Sequence, residues 1–313
     1  MAVALQLFLL VGGLAVAIVA SDRAVAYTRA LAAALHAPAF VVGVALVSIG
    51  TDLPEIANSI AAHLQGEGDV NVGDSVGSTL TQYTLVLGLF PLVVAVLAIN
   101  RRQVGIVSVL TMAGLALTIW FVHDGWLGRL EGAVLVASWA VFTFVVVKAL
   151  PDRVVDEPPP VRYQNRLLQA GIVLATLGFV GFGATVAVRA LVRLARELGV
   201  PEFALAFFGA SLGTSAPELV VDMTALLRGA PGIALGDALG SSLVDATLSI
   251  GVGPLVAPAE VTPRLAVVGS VYALIAVAAV SVILAARRRH DRWSGAALLG
   301  IYGFAYIVLI QAS

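Results

Sequence analysis

Cysteine is absent from the 313 residues, and only 12% of them are charged. The first absence excludes disulfides and thiolate metal sites. The second excludes a water-soluble domain of this size, because 60% of the residues are hydrophobic and the mean hydropathy is +1.00. Lysine is nearly missing as well, Lys148 being the only one among 18 basic residues. A formal net charge of −1 gives no sign of a nucleic-acid partner. The four histidines, His36, His63, His123 and His290, fall near the ends of apolar runs, which argues against soft-metal ligation.

What is present is a succession of apolar runs of roughly 20 residues, the length that crosses a hydrocarbon core of about 30 Å as a helix. Read between polar breaks, they predict ten spans, near 2–20, 38–62, 72–98, 103–122, 131–150, 168–188, 203–225, 235–256, 265–286 and 294–311. The first run lacks a basic flank and a small-residue cleavage site, so it is expected to be a retained span rather than a signal peptide. The expected fold class is an all-α polytopic membrane protein of about ten transmembrane helices in two inverted five-helix repeats, since an odd number of spans per half reverses the entry side of the second. Residues 1–150 form the first half and 168–313 the second; the proline-rich stretch from Pro151 to Pro160 marks residues 151–167 as a cytoplasmic linker. Sorting the basic residues by side, with Arg23 and Arg29 in the first cytoplasmic turn, gives 13 against 5. This asymmetry places both termini outside a plasma (inner) membrane. Arg189, Arg193 and Arg196 have the spacing of one face of an interfacial helical extension.

The chain also resembles itself. Gly50-Thr51-Asp52-Leu53-Pro54-Glu55 matches Gly213-Thr214-Ser215-Ala216-Pro217-Glu218 at four of six positions, and Gly73 to Gly88 matches Gly236 to Gly251 at eight of sixteen. Both pairs share an offset of 163 residues, with no gap between blocks. Small and polar residues in a span usually mean close packing or a kink. The glutamates shift that balance, because a carboxylate at mid-bilayer costs at least ~2.5 kcal/mol and marks function by default.

Pro54 and Pro217 have no N–H, so the carbonyls of Gly50 and Gly213 lose their i+4 partners. Thr51 and Glu55, like Thr214 and Glu218, are four apart and are expected to share a helix face with the loosened backbone. Ser48 and Ser211 can join that face. Ser78 and Gln82, with their mates Ser241 and Asp245, supply a second polar wall, and Gly77 and Gly240 are expected to let helices approach closely. The donors are all oxygens, which suits hard cations such as calcium, with six to eight oxygens at about 2.3–2.6 Å.

The two copies of Gly-Thr-x-x-Pro-Glu, each followed by Gly-x-x-x-Gly-Ser, resemble the alpha-1 and alpha-2 repeats of the cation/calcium exchanger superfamily, with most similarity to prokaryotic sodium/calcium exchangers. The resemblance implies a secondary active antiporter with a central calcium site held by Glu55, Glu218 and the carbonyls of Thr51 and Thr214. It implies sodium sites from the motif hydroxyls and Ser78, Gln82, Ser241 and Asp245. No cofactor is expected; the ligands are the transported calcium and sodium, and the other partner is the lipid bilayer, with no protein partner implied. The sequence departs from the family at Asp52, where a small hydroxyl such as its mate Ser215 is usual, and at Gln82, Asp74 and Asp237, where Asn is usual.

Asp52, Glu55, Glu218 and Asp245 together carry more negative charge than one calcium ion balances, so a proton- or potassium-coupled exchanger is the alternative reading. The paired aspartates Asp74 and Asp237 raise an enzyme reading, intramembrane aspartyl proteolysis. They lack the leading glycine of Gly-x-Gly-Asp, and no Tyr-Asp occurs in the chain, so the protein is not expected to be an enzyme. Their simpler reading is an acid in the first turn of spans three and eight, favoured by the helix dipole.

Overall fold

The computed structural model describes residues 2–150, 165–197 and 215–312. Among these residues the chain is helical almost throughout: α1 (Ala2–Leu35), α2 (Ala39–Thr51), α3 (Leu53–Leu64), α4 (Gly68–Val93), α5 (Arg101–Val122), α6 (Arg129–Ala149), α7 (Arg166–Glu197), α8 (Ala216–Leu227), α9 (Pro231–Val256), α10 (Pro263–Arg287) and α11 (Arg292–Ala312). Four strands of two or three residues join some of them: β1 (Val96–Ala98), β2 (Trp126–Leu127), β3 (Ala259–Glu260) and β4 (Arg289–Asp291). Seven helices, α1, α4, α5, α6, α7, α9 and α10, are each long and apolar enough to cross a membrane, and α2 with α3 makes an eighth if the pair is one broken span. Their outer faces carry exposed apolar side chains such as Phe8, Leu130 and Phe182. In a bilayer these faces meet lipid while the backbone is satisfied within each helix. The protein is a multi-pass membrane protein.

One expectation about a helix end needs correcting. The first span does not stop at residue 20, because residues 21–35 contain no glycine or proline, and α1 continues to Leu35. Its 34 residues rise roughly 50 Å, well beyond the hydrocarbon core. Arg23 and Arg29 therefore lie on a helix, not in a turn. On α7 the helix runs on through Arg189 and Arg193, as their spacing suggested.

The chain forms two compact units, residues 1–53 with 152–237 and residues 54–151 with 238–313. In the first, α1 packs along α7 at a stripe of small residues. A Cβ on Gly13 would lie 2.6 Å from the carbonyl of Gly183, and one on Gly183 would lie 2.6 Å from that of Gly13, so the two backbones touch. α1 is tied to α8 by the Ser21 hydroxyl donating to Thr224 at 2.6 Å and by an Asp22–Arg228 ion pair. α2 crosses the start of α9 equally closely, since a Cβ on Gly236 would stand 2.3 Å from the carbonyl of Phe40.

In the second unit β1 pairs with β4 and β2 with β3, both antiparallel, with Leu97 opposite His290 and Trp126 opposite Glu260. Glycine-on-backbone contacts join α6 to α9 through Gly132 and Gly251, and α4 to α11 through Gly88 and Gly295. The 163-residue offset runs through this architecture. It relates β1 to β3, β2 to β4, Gly88 to Gly251 and Gly132 to Gly295, so each strand pair and each glycine pair maps onto the other. It also relates the left-handed residues Gly66 and Gly229 that end α3 and α8, and Gly125 and Arg288 in the later turns.

Candidate cation-binding residues

The backbone of the first motif breaks where its proline requires. α2 ends at Thr51, Asp52 takes φ −79° and ψ 5°, and α3 starts at Leu53, so Glu55 lies in the first turn of a new helix. In the second copy Ser215 precedes α8, Pro217 sits in the first turn, where its missing N–H costs nothing, and Glu218 follows. The expectation that Thr51 and Glu55 share one helix face is therefore corrected, because the break at Asp52 puts them on separate helices. Each glutamate instead occupies a helix N-terminus, where unpaired N–H groups and the dipole favour an ionised carboxylate. Thr214 and Ser211 lie outside the described residues.

The first unit gathers Ser48, Thr51, Asp52, Ser215 and Glu218, all at most 3% exposed. Carboxylate oxygens of Asp52 and Glu218 lie within 4.8 Å of one another. Two oxygens on one calcium ion, each at about 2.4 Å, can be about that far apart. The Thr51 hydroxyl donates to Asp237 Oδ1 at 3.2 Å and also approaches the carbonyls of Val47 and Ser48, while Ser48 donates to Val44 O at 2.7 Å. Asp222, one turn beyond Glu218 on α8, is fully buried with Asp237 and Glu218 as its charged neighbours. Sequence reasoning missed it, because its repeat mate is Ser59 and a search for matching pairs passes over it; its i+4 spacing from Glu218 was the available signal. The unit thus holds four buried carboxylates, and no Arg or Lys is buried among the described residues. Negative charge gathered in a buried site favours a cation or a proton beside it.

The second unit holds Glu55, Ser78, Gln82, Ser241 and Asp245, again at most 2% exposed. Gln82 opens a π-helical turn, Gln82–Val86, and Asp245 opens its repeat mate, Asp245–Ser249. A third such turn, Gly43–Val47, precedes Ser48 on α2. Such turns shift the register of the backbone and recur at functional sites. The two copies meet through residues that are themselves mates, Thr79 Oγ1 lying 3.5 Å from Ser242 O, and Ser242 Oγ lies 2.8 Å from Gln82 Oε1.

The paired aspartates Asp74 and Asp237 are not in first turns as expected. They are the seventh residues of α4 and α9, beyond the reach of the dipole. Each works as an acceptor instead, Asp74 for Asn58 Nδ2 at 2.7 Å and Asp237 for Thr51. Gly77 also departs from its expected role. A Cβ there would meet nothing within 4 Å, because Gly77 and Gly73 line a cavity of about 330 Å³ between α4 and α10 rather than a helix contact.

Compared with known proteins, residues 5–148 match the sodium/calcium exchanger protein family and residues 168–311 match it again, the second match displaced by the same 163 residues. The chain belongs to the sodium/calcium exchanger family. Among its relatives are CaxA of Alkalimonas amylolytica, 29% identical over 96% of this chain and 98% of that protein, and the sodium/calcium exchanger MaX1 of Methanosarcina acetivorans, 24% identical over 98% and 99%. The fold of this exchanger-family chain is that of the sodium-calcium exchanger NCX_Mj, solved after soaking in sodium without calcium, with a TM-score of 0.80 and 23% identity over 97% of this chain and 99% of that one.

Proposed function

We infer that this protein is a secondary active antiporter that exchanges calcium for sodium across the membrane by alternating access. The observation that carries the reading is the duplicated motif, whose two glutamates stand buried at helix N-termini at repeat-equivalent positions in a chain of the exchanger family. Calcium is held by Glu55 and Glu218 with Thr51 and Thr214, and sodium by the hydroxyls of Ser48, Ser211 and Ser215 together with Ser78, Gln82, Ser241 and Asp245. Carboxylates supply charge that carbonyls and hydroxyls cannot replace.

The spans number ten in this reading: α1, the broken pair α2 and α3, α4, α5 and α6, then α7, the expected span near 203–225 (of which α8 lies in the described residues), α9, α10 and α11. Five per half inverts the second half relative to the first, and the exchange of strand and glycine partners at one offset supports that symmetry. Residues 151–167 are then the cytoplasmic linker between halves, and both termini face outward from the plasma membrane.

A proton- or potassium-coupled exchanger is the second reading, favoured by the neighbouring carboxylates of Asp52 and Glu218 and by Asp222. Calcium uptake into reconstituted vesicles under imposed sodium, potassium and proton gradients, compared side by side, tests both. Uptake driven by the outward sodium gradient alone supports sodium coupling; uptake driven only by protons or potassium rejects it.

A further inference from the structure

We infer that Ser242 is a positioning residue that turns the carboxamide of Gln82 so that its oxygen, rather than its nitrogen, is offered to the driving cation. The inference rests on Gln82 being a cation ligand in the exchange reading. Ser242 and Gln82 are both fully buried. As placed in the structure, Ser242 Oγ lies 2.8 Å from Gln82 Oε1 and 3.0 Å from the carbonyl of Ala238, one turn back on α9. A hydroxyl has one proton and can serve only one of them fully as donor.

The two ends of a carboxamide have nearly the same shape, so the hydrogen-bond network decides which faces Ser242. With Oε1 toward Ser242, two carbonyl oxygens compete for one proton, and Nε2 is left buried without an acceptor. A stranded donor of that kind is unfavourable, and no cation can relieve it. With Nε2 toward Ser242, the amide donates one N–H to Oγ and Oγ–H donates to Ala238 O, so no two acceptors compete for one proton. The end left over is then an oxygen, which a cation can coordinate. Ser78, one turn before Gln82, also has a buried hydroxyl without a hydrogen-bond partner among the described residues. The repeat explains why only one half carries this device. The mate of Gln82 is Asp245, whose two ends are both oxygens and need no orienting. The mate of Ser242 is Thr79, whose hydroxyl donates back to Ser75 O at 3.0 Å.

The test is the sodium dependence of calcium exchange by the full chain in vesicles. Ser242→Ala should raise the sodium concentration for half-maximal exchange by about tenfold. Ser242→Thr, which keeps the hydroxyl and places on α9 the residue that α4 already accommodates at Thr79, should recover most of the loss. In a Gln82→Ala background, Ser242→Ala should add no further shift. Should Ser242→Ala not fold, Ser242→Cys carries the same expectation, because a thiol is a poor acceptor. An unshifted sodium dependence in the alanine or cysteine variant, or additive effects in the double variant, overturns the positioning role while leaving sodium exchange standing. Absence of sodium-dependent exchange in the unaltered protein overturns the antiporter reading, and this inference with it.

Discussion

Gly236 and Gly73 are repeat mates with opposite surroundings, and alanine at each makes a controlled pair. A Cβ on Gly236 would lie 2.3 Å from Phe40 O and 3.0 Å from Phe40 C, where ordinary contact begins at 3.4 Å. The obstacle is backbone, so no rotamer change relieves it, and α9 has to retreat from α2 by about 1 Å. Overpacking of this kind costs about 1–3 kcal/mol. The next residue, Asp237, accepts the Thr51 hydroxyl at 3.2 Å, and a retreat of that size takes the pair beyond hydrogen-bonding distance. Gly236→Ala is therefore expected to lower the thermal unfolding temperature of the purified protein and to weaken calcium affinity about tenfold, equivalent to about 1.4 kcal/mol. At Gly73 a Cβ meets nothing within 4 Å, so alanine there should be neutral or gain up to ~1 kcal/mol of helix propensity. The assays are thermal unfolding in detergent and calcium uptake in vesicles. Equal effects of the two substitutions would refute the reasoning.

Asp245→Asn should weaken coupling to sodium more than Gln82→Asn does, because it alone removes a charge; equal shifts in the sodium dependence of exchange would contradict this. Asp52→Ser restores the residue type of its mate Ser215 and should change the pH or cation dependence of exchange while preserving calcium transport; unchanged dependence on pH, sodium and potassium would place Asp52 outside the ion pathway. In the β4 turn, burial holds His290 below its usual pKa, with its ring nitrogens 2.6 Å from Leu87 O and 2.8 Å from Ser294 Oγ. The unfolded chain therefore takes up this proton first, so stability should fall as pH drops below about 6.5, and His290→Gln should flatten that stretch of the curve. Asp291 beside it has its pKa lowered to about 2, chiefly by the Ser294 backbone N–H and also by Arg287, so its contribution is lost only between pH 3.8 and about 2. Thermal unfolding as a function of pH separates the two windows.

The motif glutamates, the prolines that break the helices and the second wall were readable because they recur as identical or similar residues at one offset. Helix ends marked by Gly66, Gly125 and Gly229 left a local signature too. Other features required the backbone. The π turns at Gln82 and Asp245 have no residue type of their own. The tie between Thr51 and Asp237 joins positions 186 residues apart, and only the folded chain shows that these aspartates act as acceptors rather than dipole partners. Asp222 escaped because its mate is a serine. The glycines divide likewise, since Gly77 and Gly132 look alike in a span but only Gly132 meets another backbone, with Gly251 O 2.6 Å from its Cβ position. The length of α1 escaped because two arginines near one end of an apolar helix resemble a turn when charge alone is read.

Equilibrium binding of calcium to the purified protein in sodium-free buffer, set beside Glu55→Gln and Glu218→Gln, is the most direct test of a site built from the two copies of the motif. The unaltered chain should bind calcium and release it as sodium is added, while either substitution should abolish binding with the unfolding transition retained. Calcium affinity close to that of the unaltered protein in either folded variant would contradict the account.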